Sequence, residues 1–345
     1  MKKSFDEVFE DVTKYGTKIK TEEYHPNGVH IIIDQGQEQV AGYTDLEDGL
    51  FTEVPALIFG DHTRVIKYVD KPFFLGADGV KVLRCKYENA NYKYLYYTLK
   101  NAKIPNTGYN RHFKWLKEIQ ILYPDLIVQN KIVSILEVVE NIIRARQREL
   151  QALDTLIKSR FVEMFGTVQN NVFGFPEGSL ESVSDELFAG GDKPADCVSE
   201  RDAVHPYPVY ANGYENDGLQ GYSANCRVNK PAVTVSARGT IGYCFIRDAG
   251  FTPVVRLVTI VPNNKVSVLF LKYAIDSLDI KGSGTSQAQL TVPNFKQEKI
   301  ILPPVELQEK FATFVVQIDK SKFAVQKALN QAQLLFDSLM QKYFG

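Results

Sequence analysis

The sequence predicts an α+β protein: two pseudo-symmetric mixed α/β globular domains, each followed by a long helix, with the two helices packed as an antiparallel coiled coil. Three observations predict it. The first is that two long amphipathic stretches close on the same dipeptide, Phe165-Gly166 and Phe344-Gly345, 179 residues apart. The second is that short matches recur in order ahead of both endings. His25-Pro26 returns as His205-Pro206, Gly42-Tyr43 as Gly221-Tyr222, Pro55-Ala56 as Pro231-Ala232, and Leu95 as Leu271. In the helical stretches Ile121-Leu122 matches Ile301-Leu302, Pro124 matches Pro304, Gln129 and Lys131 match Gln308 and Lys310, and Leu156 and Ser159 match Leu335 and Ser338. The offsets stay between 176 and 180, the signature of a tandem duplication with small insertions. The third is length: 345 residues suit about two domains, and two copies are too few for a solenoid.

The expected order is a globular domain over residues 1–123, a helix over 124–166, a second globular domain over 167–303 and a second helix over 304–345. In the first domain Val29–Ile33, Ala56–Phe59, Arg64–Val69 and Val80–Leu83 are β-branched or aromatic runs punctuated by Gly, Asp and Pro, which reads as strands. Ala232–Val235, Gly242–Ile246, Val254-Val255 and Leu257–Val261 read the same way in the second. One short helix follows each set, Tyr92 to Leu99 and Leu269 to Leu278. The tyrosines at 92, 94, 96 and 97 suggest either base stacking or packing on a sheet. Packing is favoured because Tyr94-Leu95 aligns with Phe270-Leu271.

Proline marks each long helix start, since its missing N–H would be unpaired in a first turn. The expected seams run Ile132, Ile135, Val139, Ile142, Leu150, Leu153, Ile157 with Arg146 between, and Phe311, Phe314, Ile318, Val325, Leu329, Ala332, Phe336, Leu339 with Lys322 between. Mean steps near 3.5 residues describe a coiled-coil seam, and the natural partner of each stripe is the other.

Composition is that of an ordinary globular protein, 44% hydrophobic and 23% charged. Four cysteines without CxxC spacing point to a reduced, cytoplasmic chain, and the five histidines share no metal-ligand spacing. The start of the chain lacks a signal-peptide h-region, and no apolar run approaches membrane-spanning length. The net charge of -1 provides no general basic surplus for gripping a nucleic-acid backbone, so any phosphate contacts must be local or supplied by partners. No P-loop is present. Leu302-Pro303-Pro304-Val305 lacks the polar first and aromatic last residues of an amino-methyltransferase patch, and no cofactor loop accompanies it. The carboxylates from Glu181 to Asp202 have the spacing of a solvated surface rather than of a nuclease site.

The alternation of globular domain and long helix, the Leu302-Pro303-Pro304-x-x-x-Gln308-x-Lys310 helix start and the Phe-Gly endings resemble the specificity subunit of type I restriction-modification enzymes. Gly108-Tyr109-Asn110-Arg111-His112 and Gly282-Ser283-Gly284-Thr285-Ser286-Gln287 also resemble segments that precede the helices of that family. The resemblance spans essentially the whole chain. It departs at the first helix start, where Tyr123 replaces the first proline of the pair and Asp125-Leu126-Ile127 the usual acidic stretch.

The resemblance implies a non-catalytic reader of double-stranded DNA. Each globular domain is then a target recognition domain for one half of an asymmetric bipartite site, and the helices set the gap. Methylation and cleavage fall to separate modification subunits, two of them, and restriction subunits. S-adenosylmethionine, and ATP and magnesium for restriction, are expected on those partners and no cofactor in this chain. Arg and Lys can take guanine O6 and N7, and Asn and Gln adenine N6 and N7, so polar and basic loop residues are the candidates. In the first domain these are Lys18, Lys20, Arg64, Tyr109, Asn110, Arg111, His112 and Lys114. In the second they are Lys193, Asn212, Tyr214, Arg227, Arg238, Thr285, Gln287 and Gln289. Gly190-Gly191-Asp192-Lys193-Pro194 reads equally as a phosphate approach and as a plain turn. The alternative function is a coiled-coil assembly scaffold without DNA specificity, which accounts for the neutral charge but not for the polar loops ahead of both helices.

Overall fold

A computed structural model describes residues 1–76, 78–213, 215–239, 241–278, 280 and 290–345. The chain divides into two units, residues 1–147 with 327–345, and residues 148–326. The first contains β1 (Lys2–Ser4), α1 (Phe5–Val8), β2 (Phe9–Asp11), β3 (His30–Ile33), β4 (Gly42–Thr44), β5 (Ala56–Gly60), β6 (Ile66–Val69), β7 (Phe73–Leu75), β8 (Val80–Cys85), α2 (Tyr92–Lys100), α3 (Phe113–Leu116), β9 (Gln120–Leu122) and the start of α4 (Leu126–Phe165). They form sheets ordered β2-β8-β5-β6, β4-β3-β7 and β1-β9. The second contains β10 (Glu177–Ser179), β11 (Ser184–Ala189), β12 (Tyr207–Tyr210), β13 (Leu219–Ser223), β14 (Ala232–Val235), β15 (Cys244–Arg247), β16 (Thr252–Pro253), β17 (Val258–Pro262), α5 (Val268–Asp276), α6 (Val292–Gln297), β18 (Lys299–Ile301) and the start of α7 (Val305–Phe344). Its sheets are β11-β17-β14-β15, β13-β12-β16 and β10-β18. The two plans coincide strand for strand, down to the single parallel pairing in each three-stranded sheet, β3 with β7 and β12 with β16.

A central strand covered on both faces is an unbroken apolar run, and β5 is Ala-Leu-Ile-Phe-Gly with every residue buried. Its alternate residues serve different cores. Leu57 and Phe59 pack with α2 through Tyr94 and Leu95, whereas Ala56 and Ile58 pack with Ile33, Phe73 and Leu75 of the three-stranded sheet. In the second unit Val233 and Val235 meet Phe270 and Leu271 of α5, and Ala232 meets Phe251. Both short helices carry side-chain N-caps, Asn91 Oδ1 accepting from Lys93 and Tyr94 N–H and Ser267 Oγ from Phe270 N–H. Tyr94 and Tyr97 are buried in the core and Tyr92 and Tyr96 pack against it, so these tyrosines are packing residues.

Gln129 and Gln308 are fully buried at the start of the two long helices and do the same work. Gln129 accepts from Asn91 N–H at 3.0 Å and donates to the Pro124 carbonyl at 2.9 Å. Gln308 accepts from Ser267 N–H at 2.9 Å and donates to the Pro303 and Lys265 carbonyls, each at 3.0 Å. Each ties the capping residue of the short helix to the start of the long one. Gln308→Ala strands a buried N–H and two carbonyls, and a loss of about 2–3 kcal/mol is expected in urea denaturation.

These bonds also correct the repeat. Pro124 corresponds to Pro303, not Pro304, and the β1-β9 and β10-β18 registers place Ile121 with Ile300 and Leu122 with Ile301. The first proline of the pair is therefore present in the first helix start, and Asp125 stands where the second copy has Pro304. The His25-Pro26 match does not hold either. His25 bridges Tyr43, and the residue bridging Tyr222 is Val198, not His205.

The long helices, 40 residues each, extend about 60 Å at ~1.5 Å rise per residue. In the first unit Ile132, Leu136, Val139 and Ile143 of α4 share a core with Ala332, Phe336 and Met340 of α7. In the second, Ile157, Phe161 and Phe165 share one with Phe311 and Val315. The beginning of each helix thus meets the end of the other, which is antiparallel pairing. The α7 seam falls largely as the spacing predicts, with Val315 more buried than Phe314 and Met340 more than Leu339. In α4 the buried residues are Leu136 and Ile143 rather than Ile135 and Ile142; the latter is exposed. The corrected α4 positions, 132, 136, 139, 143, 146, 150, 153, 157, 161 and 165, each gain 179 to land on the α7 seam. No helix among the described residues is long and apolar enough to cross a membrane.

Candidate nucleic-acid interface

In the first unit the chain segments leaving β3, β5 and β7 emerge at one end of the sheets. Gly60 pairs with Val80, and Ile33 with Leu75, which brings the turns at 34–41, 61–65 and 76–79 together. Gln35 bolts them: its Nε2 donates to Asp78 carbonyl at 2.9 Å, its Oε1 accepts from His62 N–H at 3.1 Å, and its carbonyl accepts from Thr63 Oγ1 at 2.6 Å. Buried Asp61 recruits a fourth segment, 104–112. Its carboxylate accepts from Phe113 N–H at 2.8 Å, and its carbonyl accepts from His112 N–H at 2.8 Å and from His112 Nδ1 at 3.0 Å.

This geometry sorts the candidates. His112 is fully buried and holds the loop through the Asp61 carbonyl. Arg64, at φ 62°, turns inward to the Ile104 carbonyl at 3.4 Å. Tyr109 is 85% exposed and stacks on His62 with ring centroids 4.5 Å apart and planes 8° off parallel. Asn110, Arg111, Lys18, Lys20 and Lys114 are exposed. Asn110 braces Thr107, and Lys114 lies 4.2 Å over the Trp115 ring. Lys18 pairs with Asp78 at 2.7 Å, and this pair, with Arg111 nearby, holds the Asp78 carboxyl below its usual range. Sequence reasoning missed Gln37 and Thr63, both exposed in the same cluster. The signal was the polar run Asp34 to Gln39 between two strands.

Among the described residues, the second unit repeats the three strand-end turns after β12, β14 and β16, and the segment at 190–193 lies beside the last of them as Lys18 lies beside Leu75. Val255 N–H donates to the Gly191 carbonyl at 2.8 Å and Arg256 N–H to the Gly190 carbonyl at 3.0 Å. A Cβ on Gly190 would sit 2.6 Å from the Pro253 carbonyl carbon, so this glycine allows the close backbone packing of the two segments. Asn212 is spent inside the cluster, accepting from Ala237 N–H at 2.7 Å and donating to the Val255 carbonyl at 2.6 Å. Arg238 is exposed on the turn after β14. Lys193 is exposed too and reaches the Gln220 carbonyl at 3.4 Å. Lys20 and Lys193 each lie two residues past a residue bridged to this end, Lys18 to Leu75 and Gly191 to Val254. Arg227 belongs elsewhere: it lies before β14, at the opposite end of that strand from Arg238, paired with Glu186 at 3.2 Å over the Phe188 ring. Tyr214, Thr285, Gln287 and Gln289 lie outside the described residues, although Leu290 N–H returns to the Ala237 carbonyl at 2.9 Å. Exposed Arg256 was missed.

Strain marks the same places. Among the described residues, the non-glycine residues at positive φ are Arg64, Asn216, Asp217, Val255 and Arg256, and all five lie in these two loop clusters. A left-handed conformation costs an L-residue roughly 1–2 kcal/mol, more for a β-branched one such as Val255. Among the described residues, no group of His, Cys, Asp and Glu could hold a metal ion.

The family model of the type I restriction modification DNA specificity domain matches residues 1–154 and 185–333. Two Mycoplasma pneumoniae proteins assigned as type I specificity subunits are similar. One is 30% identical over 262 residues, covering 70% of this chain and 77% of the relative. The other is 29% identical over 254 residues, covering 72% and 69%. The crystal structure of the S subunit of a type I restriction-modification system from M. genitalium has the same fold, with a TM-score of 0.63, 18% identity, and coverage of 100% of this chain and 96% of that one. A chain from a structural study of type I R-M complex assembly and conformational transition matches with a TM-score of 0.57 and 16% identity, covering 100% and 97%. The duplicated fold and the family match over both copies lead to one assignment: the chain belongs to the type I restriction-modification DNA specificity family.

Proposed function

We propose that the loop end of each unit reads one half of an asymmetric bipartite site in double-stranded DNA, and that α4 and α7 fix the gap between the halves. The observation that carries this reading is the duplication of one loop cluster, equivalent in topology but different in side chains. Equivalent placement suits two readers held by one frame, and different side chains suit non-palindromic halves. The chain brings specificity to a complex in which modification subunits, two to match the repeated helices, bind S-adenosylmethionine and methylate, and restriction subunits use ATP and magnesium. With a net charge of -1 the chain alone has little general attraction for phosphates, so the partners supply much of the grip.

Single substitutions separate the halves. In the assembled complex Arg111→Ala is expected to weaken or relax one half-site and Arg238→Ala the other, each by about 1–3 kcal/mol where a bidentate base contact is lost. Binding measured on sites mutated in one half at a time checks this. If either substitution impairs both halves alike, the assignment of one unit to one half is wrong.

A further inference from the structure

Among the described residues, each unit buries one Lys or Arg side chain. In the first it is Lys67 on β6, with a side chain 2% exposed. Its ammonium donates to the Asp34 carboxylate at 3.3 Å and to the Glu38 carbonyl at 2.5 Å, so residues 34 and 38 of the β3–β4 loop close around it. Gln39 Nε2 adds a bond to the Tyr68 carbonyl at 2.8 Å. In the second unit it is Arg247 at the end of β15, 5% exposed. Its Nε donates to Thr234 Oγ1 at 3.0 Å, its Nη2 to the Asp217 carbonyl at 2.5 Å, and the guanidinium lies 3.8 Å from the Tyr210 ring centroid.

β6 and β15 are the same edge strand of the four-stranded sheet, and the β3–β4 and β12–β13 loops are the same hairpin connection. Lys67 is opposite Ile58 and Arg247 opposite Ala232, two positions apart in the repeat but on one face, toward the three-stranded sheet. The residue is not repeated; the chemistry is. Burial disfavours both charged forms and lowers the pKa of Lys67 and Arg247. A buried charge kept for a single loop is costly and weak as a source of stability. What it secures is a loop geometry, which in the second unit includes the left-handed pair Asn216 and Asp217. Each loop also exposes an amide side chain of the kind that pairs with adenine, Gln37 in the first and Asn216 in the second.

Resting on the reading that these loop ends face DNA, we propose that Lys67 and Arg247 are positioning residues for base recognition, each holding the hairpin that presents Gln37 or Asn216 to one half-site. The test uses the full chain assembled with its modification subunits and a DNA library varied at every base of both halves. Lys67→Met is expected to lower base discrimination in one half by about tenfold, the size of one displaced base contact, and to leave the other half unchanged. Arg247→Met does the converse. The salt dependence of binding stays as in the wild type, because a buried cation releases no counterion. Lys67→Arg, which keeps the donor, restores most of the discrimination. Asp34→Asn loosens the same loop at a partly exposed residue and carries the test if Lys67→Met does not fold. Unchanged base preferences in these variants, loss in both halves alike, or a shallower salt slope would overturn the positioning role. A wild-type complex with no two-part base preference would remove the reading of the loops as well, so the two failures are distinguishable.

Discussion

Phe165→Ala is expected to lower the unfolding free energy by about 3–5 kcal/mol. Phe165 is fully buried at the end of α4, with ring centroids 5.1 Å from Phe161 and Phe270 and 5.6 Å from Phe311. The T-shaped contacts to Phe270 and Phe311 add to its area burial. Truncation leaves a cavity at the point where α4, α5 and α7 meet. Its repeat partner Phe344 lies 5.2 Å from Tyr94 but is only partly buried, so Phe344→Ala is expected to cost less. Urea denaturation followed by tryptophan fluorescence and circular dichroism measures both. Equal losses at the two positions would contradict the burial argument.

These two phenylalanines also show why so much of the fold was legible. A duplicated chain prints its core contacts twice, and Phe165 and Phe344 meet equivalent partners, Phe270 and Tyr94, on equivalent short helices. β5 and β14 were legible because burial on both faces leaves an apolar run. In the three-stranded sheets β3 was legible, but β4, β12 and β13 were not, because they mix Gly, Pro and Ser with apolar residues. Val254-Val255 looks like a strand, yet Val255 has φ 52° in a turn. The α4 seam slipped by one residue because Ile135-Leu136 and Ile142-Ile143 offer adjacent apolar choices, which only the packing partner resolves.

The candidate site was half legible. Polarity and loop position selected Tyr109, Asn110, Arg111 and Arg238, which are exposed in the two clusters. The same criteria selected His112, Asn212 and Arg64, whose hydrogen-bonding groups face the protein backbone. A sequence records that a side chain can bond, not which partner takes the bond. Arg256 follows a strand end equivalent to the one before Gly76, a correspondence visible only once the strands are paired.

The second large effect concerns the helices as a ruler. Lys322 pairs with Asp154 at 2.6 Å, and antiparallel counting from this pair puts the 147/148 step of α4 opposite the 328/329 step of α7. Inserting seven residues at both steps, with apolar residues continuing the seam, preserves the 3.5-residue phase. It lengthens each helix by about 10 Å at ~1.5 Å per residue, close to three base pairs at ~3.4 Å each. The preferred gap between half-sites is expected to grow by about three base pairs. Methylation of a spacer library reports it, and an active insertion variant with an unchanged gap would show that the helices do not set the distance.

The central claim is that one chain reads two separated half-sites. The most direct measurement is base-by-base interference on the DNA bound by the wild-type chain with its modification subunits. The account predicts two stretches where base changes abolish binding, different in sequence and separated by a stretch of fixed length where they do not. A single contiguous sensitive stretch, or two identical inverted ones, would contradict it.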